Sequence, residues 1–170
     1  LVANGTRDSR GGALFMWLGQ SRLLLHHTTF VDNTAQGGGL TSTGGALYAS
    51  QDVFVDADDC IFDGNRARGL FEARAGALFF AKDTDVTIRD SDLVSNSAEA
   101  GSAFGGAIST EAGMLLMSNV RATGNTVTAL LGRALGGALY AALGDCELHR
   151  CLLNDNVAQM EQQARLTNAG

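Results

Sequence analysis

The side chains with the clearest chemical potential fall in three dipeptides, His26-His27, Asp58-Asp59 and Arg89-Asp90, spaced by 32 and 31 residues. If equal places in a repeat lie side by side, two imidazoles, neighbouring carboxylates and a guanidinium share one patch. Paired carboxylates are the equipment of glycoside hydrolysis, one as acid and one as base. A cationic neighbour would set which of them keeps its proton. His26, His27, Asp58, Asp59, Arg89 and Asp90 are therefore the candidate catalytic set for a polysaccharide-processing or carbohydrate-binding protein. The plainer reading is a solvated corner, on which opposite charges one strand apart contribute roughly 0.2–1 kcal/mol per pair. Asp56, Asp58 and Asp59 make a weak calcium site, because adjacent carboxylates on a strand point to opposite faces and no calcium-loop motif surrounds them. Cys60, Cys146 and Cys151 form no CxxC pair, so neither a zinc site nor a disulfide scaffold is expected. Cys146 and Cys151 could bridge across a bend, and buried free thiols are the alternative. No metal and no cofactor is expected.

Whether those dipeptides meet depends on the elements that carry them. Six asparagines, Asn4, Asn33, Asn65, Asn96, Asn125 and Asn156, recur at intervals of 29 to 32 residues. A small tripeptide followed by an aliphatic runs in step with them, beginning at Gly11, Gly44, Ala75, Gly105 and Gly136. A period of this length signals stacked units rather than one globular core. Aligned on the asparagines, apolar columns stand ten and eight places before (Leu23 and Leu25, Val55 and Ala57, Val86 and Ile88) and five and three before (Cys60 and Phe62, Ser91 and Leu93). Alternation of period two is a strand signal. The phase slips by one between the pairs, so a sharp bend joins two strands, and the His/Asp/Arg dipeptides occupy it. Leu14, Leu47, Leu78, Ile108 and Leu139 begin a third inward strand. Phe15, Tyr48, Phe79 and Tyr140 follow them on the outer face, with Ser109 interrupting the series. These four aromatics form either a contact stripe or a surface lying under a flanking loop.

The expected fold is all-β, a right-handed parallel β-helix of about five coils of roughly 30 residues. Three strands per coil are expected, with a variable arc after each asparagine that reads as a loop. The asparagines would sit at coil corners, tolerate left-handed backbone, and stack as a ladder of amides from Asn4 to Asn156. A buried amide without partners costs about 1–3 kcal/mol, so such a ladder works only if continuous. The Gly-Gly-Ala column allows tight turning and close approach of coils. One repeat domain spans 1–158. The segment 159–170 has good helix propensity and reads as a capping helix or a linker. A leucine-rich repeat is the rival architecture, since Leu25-x-x-Thr28-x-Phe30-x-x-Asn33 has its spacing. Paired glycines in its helical half would cost roughly 1 kcal/mol each.

Gly44-Gly45-Ala46-Leu47 paired with Phe30-Val31-Asp32-Asn33 and Phe62-Asp63-Gly64-Asn65 resembles the double signature, GGA-(I/L) with F-x-x-N, of the polymorphic outer membrane protein repeats. Asn33-Thr34-Ala35 and Asn96-Ser97-Ala98 extend the likeness. Leu93, Ala122 and Leu153 depart from it where Phe is expected, and Ala75 where Gly is. The resemblance implies a surface-exposed, non-enzymatic passenger used in adhesion. The Gly-His-Gly and Arg-x-Lys segments of pectin-degrading β-helices are absent.

Bulk composition sets outer limits. The net charge of −6 argues against nucleic acid and anionic membrane surfaces as partners. No run of 18 apolar residues exists, so no membrane span is expected in this segment. The opening at Leu1-Val2-Ala3-Asn4, partway through a repeat, reads as a piece of a longer extracellular or cell-surface protein. Its expected partners are further coils of the same parent chain and an unidentified protein or glycan surface. Asn4-Gly5-Thr6 also matches a glycosylation sequon.

Overall fold

The computed structural model describes residues 2–5, 8–17, 19–38, 40–111 and 113–161, with side chains from residue 8 onward. Every element among the described residues is a strand, and every strand pairing is parallel. Five sheets run the length of a β-solenoid of about five turns, about 31 residues each. In chain order within a coil, sheet 1 holds strands such as Thr34–Gly37 and Arg66–Arg68, and sheet 2 holds Thr41–Thr43 and Glu72–Arg74. Sheet 3 holds Leu47–Ser50 and Leu78–Phe80, sheet 4 holds Val53–Asp58 and Asp85–Arg89, and sheet 5 holds Ile61–Asp63 and Asp92–Val94.

Five strands per coil replace the three expected. The bulky columns of sheets 3, 4 and 5 stack in the expected register, as in Leu23, Val55, Val86 and Leu115. The arc after each asparagine is not a loop. It contains sheets 1 and 2, whose inward residues are small: Ala35, Ala67, Ala98 and Val127, then Ser42, Ala73 and Ala103. Alanine and serine carry little β propensity, so alternation there is chemically faint.

The core is correspondingly divided. Phe62, Leu78, Phe80, Ile88, Leu93 and Met117 belong to a large compartment enclosed by sheets 3, 4 and 5. A thin one between sheets 1 and 2 holds Ala67, Ala73, Ala98, Ala100, Ala103 and Val127. The waist between them explains the second glycine of each Gly-Gly-Ala. A Cβ on Gly45 would stand 1.9 Å from the Gly76 carbonyl oxygen and 2.5 Å from the Arg66 nitrogen. On Gly76 it would stand 2.1 Å from the Gly106 oxygen and 2.3 Å from the Ser97 nitrogen. Arg66 and Ser97 are the residues directly after ladder asparagines. The two recurring motifs therefore meet backbone to backbone, and only a residue without a side chain fits between them.

Two further expectations are corrected. Asn4 is outside the ladder: its strand Val2–Gly5 pairs Ala3 with Ala35 and Asn4 with Gln36, three places past the asparagine column. The 29-residue interval from Asn4 to Asn33 is three short of the 32 that separate Asn33 from Asn65, which is the size of that offset. The sequon side chains lie outside the described residues. At the other end, Gln159 and Met160 are not helical but close the last strand of sheet 1, Val157–Met160, paired with Thr128 and Ala129. An open strand edge with a matching register outweighs local helix propensity. The rest of the expected cap, from residue 162, lies outside the described residues.

Candidate functional site

The asparagines turn out to follow the corner residue rather than occupy it. Left-handed backbone falls on Asp32, Gly64, Ser95, Gly124 and Asp155, each immediately before a ladder asparagine. That frees the amide to point inward. Asn33, Asn65, Asn96 and Asn125 each donate from Nδ2 to the Oδ1 of the next asparagine, at 2.9, 2.9, 3.0 and 2.9 Å. Their backbone N–H groups donate to the same oxygens at 3.0 to 3.1 Å. The second Nδ2 hydrogen of Asn65, Asn96, Asn125 and Asn156 goes back to the carbonyls of Phe30, Phe62, Leu93 and Ala122. Asn65, Asn96 and Asn125 are fully buried with every amide group engaged. Aligned amides polarise one another, so the file acts as a unit.

The His/Asp/Arg dipeptides meet as expected at the corner between sheets 4 and 5. His26, Asp58 and Arg89 are register partners. His27, Asp59 and Asp90 take the left-handed corner positions beside them, with φ of 48, 51 and 47°. His27 Nδ1 lies 2.6 Å from Asp59 Oδ2. His26 stands 3.7 Å from Asp58, whose other oxygen lies 3.8 Å from Arg89 Nε. Arg89 directs its stronger bond to Asp56 at 2.7 Å, and Asp56 also faces Arg22 at 3.8 Å. Asp90 accepts a hydrogen bond from Asn119. The patch is wet: the His27 and Asp59 side chains are 80% and 63% exposed. Each carboxylate already has a protein partner, and no wall excludes water, which is what strengthens acid–base and electrostatic catalysis in an enclosed site. Asp56 and Asp58 point to the same outer face, both toward Arg89, so a cation there would compete with a guanidinium. Among the described residues no group of three acidic, histidine or cysteine side chains could hold a metal ion.

The aromatic column, read either as a contact stripe or as a surface under a flanking loop, faces sheet 2 at Tyr48 and Phe79. Phe15, Tyr48, Phe79, Ser109 and Tyr140 are register partners on the outer face of sheet 3. Phe15 stacks on Tyr48 at 5.1 Å and Tyr48 on Phe79 at 5.4 Å. Yet Tyr48 and Phe79 are only 8% and 3% exposed. The cause is the sense of the Gly-Gly-Ala corner. It bends the chain back on itself, so the outer faces of sheets 2 and 3 confront each other across a concave groove. Arg10, Thr43, Arg74 and Phe104 form the facing column on sheet 2. Arg74 bridges the groove, with an ion pair to Glu72 at 2.6 Å and another to Glu111 beyond sheet 3. Its guanidinium lies 5.5 Å from the Phe104 ring, which packs against Tyr140 at 5.1 Å. The groove escaped sequence reading because two outward columns seem independent until a reversed corner folds them together. The signal was present in the paired outward Arg and aromatic columns flanking Gly-Gly-Ala.

The three thiols are free: the bridge between Cys146 and Cys151 is not formed. Burial pushes the Cys60 thiol up, and pushes the Cys146 thiol up with a smaller contribution from Cys151. Arg121 is held above its usual range by its hydrogen bonds to Asp92 at 2.9 Å. Comparison of the chain with protein-family models, with curated proteins and with solved structures yields no match in any of the three.

Proposed function

We propose that this chain is a non-enzymatic structural and adhesive segment of a larger extracellular or cell-surface protein, a stiff rod that presents its side to a protein or glycan partner. The observation that carries the reading is the unbroken amide file from Asn33 to Asn156, which ties successive coils into one body. A rod of this kind holds surface side chains at fixed intervals of about 4.8 Å along its axis, the spacing of paired strands. The GGA-(I/L) and F-x-x-N likeness to polymorphic outer membrane protein repeats supports the surface location and the adhesive role, as a resemblance of motifs.

The competing reading is polysaccharide processing at the corner patch, favoured by the His27–Asp59 contact at 2.6 Å beside Asp58 and Arg89. Incubation with polygalacturonate and with neutral polysaccharides, followed by assay for new reducing ends and unsaturated products, separates the two. The rod reading expects neither product. Cleavage abolished by Asp58→Asn would overturn it.

A further inference from the structure

We propose that the rim where sheet 1 turns into sheet 2 is a docking surface for a second copy of this chain, laid antiparallel and related by a two-fold axis. This deepens the adhesive reading, whose partner it names, and rests on it. Sheets 1 and 2 enclose the thin alanine compartment, so the chain reverses at its outer edge and side chains there stand clear of the rod. Leu40 is 50% exposed, and Leu70 and Phe71 are each 60% exposed. Leu70 and Phe71 have coils on both sides. The Leu40 carbonyl accepts the Phe71 N–H, and the Leu70 carbonyl accepts the Gly101 N–H. Their exposure therefore belongs to the flank of the rod and not to its ends. Bulky apolar side chains grouped on a surface mark a contact site.

Residue size alternates along the rim. Four successive coils reach it with Gly37 and Gly38, then Leu70 and Phe71, then Gly101, then Leu130 and Leu131. The series runs small, large, small, large. Reversed end for end, it sets each large coil against a small one. A closed parallel dimer would set large on large. The two-fold axis falls between the coil of Phe71 and the coil of Gly101. Phe71 then meets Gly101 of the second copy, and Leu131 meets the hollow beside Gly37, Gly38 and Gly69. Leu40, the last residue before sheet 2 in its coil, faces Gly132 of the second copy.

Charge shares that centre. Arg68 and Glu99 are register partners on sheet 1, one in the coil of Phe71 and one in the coil of Gly101. Within one chain they pair at 2.7 Å and remain partly exposed. Under the same axis, Arg68 faces Glu99 of the second copy and Glu99 faces its Arg68. Four alternating charges then border the apolar contact, the self-complementary pattern a two-fold interface requires. A lipid surface would accept the leucines and the phenylalanine but gains nothing from glycines and charges in this order. The rim is narrow, so the contact belongs to the small, weak class of interfaces.

Sedimentation velocity of the intact chain between about 1 and 500 μM should show a monomer shifting to a dimer. Phe71→Ser should weaken association about tenfold or more, with an unchanged melting temperature at the lowest concentration. Arg68→Glu and Glu99→Arg should each weaken it by setting like charges across the axis. An equimolar mixture of those two variants should associate as wild type does, because each restores the partner of the other. In a parallel dimer Glu99 would lie opposite Ser102 instead, and Glu99→Arg would keep its self-association. A chain monomeric over the whole range overturns the proposal. So does a dimer that Phe71→Ser leaves intact, a Glu99→Arg chain that dimerises normally, or a mixture no tighter than its components. Flotation of a monomeric chain with phosphatidylcholine vesicles, lost in Phe71→Ser, would assign the rim to lipid and also overturn it. The non-enzymatic reading fails by a different signal, the appearance of new reducing ends, so the two failures are distinguishable.

Discussion

Asn96 donates one Nδ2 hydrogen to the Oδ1 of Asn125 at 3.0 Å, and that same oxygen also accepts the Asn96 backbone N–H at 3.0 Å. One side chain thus satisfies both the amide and the corner of the coil before it. Replacing Asn96 by Leu would strand the Asn65 backbone N–H and one Asn65 Nδ2 hydrogen in a fully buried place. At about 1–3 kcal/mol for each orphaned group, Asn96→Leu should cost about 3 kcal/mol or more in urea unfolding. Asn156→Leu, at a half-buried end where water can substitute, should cost roughly half as much. Asn4→Leu should lie within about 0.5 kcal/mol of wild type, because the file does not pass through that position.

Glycine at the waist and glycine at the corner should respond oppositely. Gly76→Ala drives a methyl into backbone on two sides, at 2.1 Å from Gly106 and 2.3 Å from Ser97. Backbone of two coils would have to part, so a loss above about 4 kcal/mol, or failure to fold, is expected by circular dichroism. Gly124→Asp enters open space, with Ser95 Oγ the nearest atom at 3.8 Å. Asp32, Ser95 and Asp155 already hold the equivalent left-handed position. That substitution should stay within about 1–2 kcal/mol of wild type, the ordinary cost of the conformation.

The bulky half of the fold was legible in the chain, and the small half was not. Columns such as Val55, Val86 and Leu115 announce themselves because burying a large side chain leaves a strong alternation. Ala67 and Ala98 do the same structural job in sheet 1, but alanine is as common in loops and helices as in strands. The ladder was legible from spacing alone from Asn33 to Asn156 and misled at Asn4, where the pairing of Ala3 with Ala35 decides the register. The left-handed residue was misassigned by one place, although Gly64 and Gly124 mark it directly. The His/Asp/Arg corner was read correctly as a cluster, since neighbouring strands bring equal places together. The groove was not, because the sense of a corner is a tertiary property carried by backbone angles rather than by residue type.

The corner patch should contribute little to folding. His27 and Asp59 are mostly in solvent, and Asp58 holds two contacts longer than 3.5 Å, 3.7 Å to His26 and 3.8 Å to Arg89. An exposed pair is worth about 0–1 kcal/mol. Asp58→Asn combined with Asp59→Asn should therefore shift stability by no more than about 1 kcal/mol. A much larger loss would mean that the patch is a structural clamp.

The thiols predict an alkaline weakness. Cys60 and Cys146 titrate above the ordinary thiol value because burial disfavours the thiolate. The folded chain therefore holds these protons more tightly than the unfolded chain. Their contribution is complete below the unfolded value of about 8.5 and is lost as pH rises through the raised folded values. Melting temperature should fall more steeply as pH rises above about 8.5 in wild type than in Cys60→Ala with Cys146→Ala. Parallel curves would contradict this.

The most direct test of the stacked spine is hydrogen exchange of the asparagine carboxamides, resolved by NMR. The buried file predicts side-chain protons of Asn65, Asn96 and Asn125 that exchange as slowly as the backbone amides of the core strands, with Asn154, on the exposed surface, exchanging fast. Fast exchange at all four positions would contradict the account of how the coils are held together.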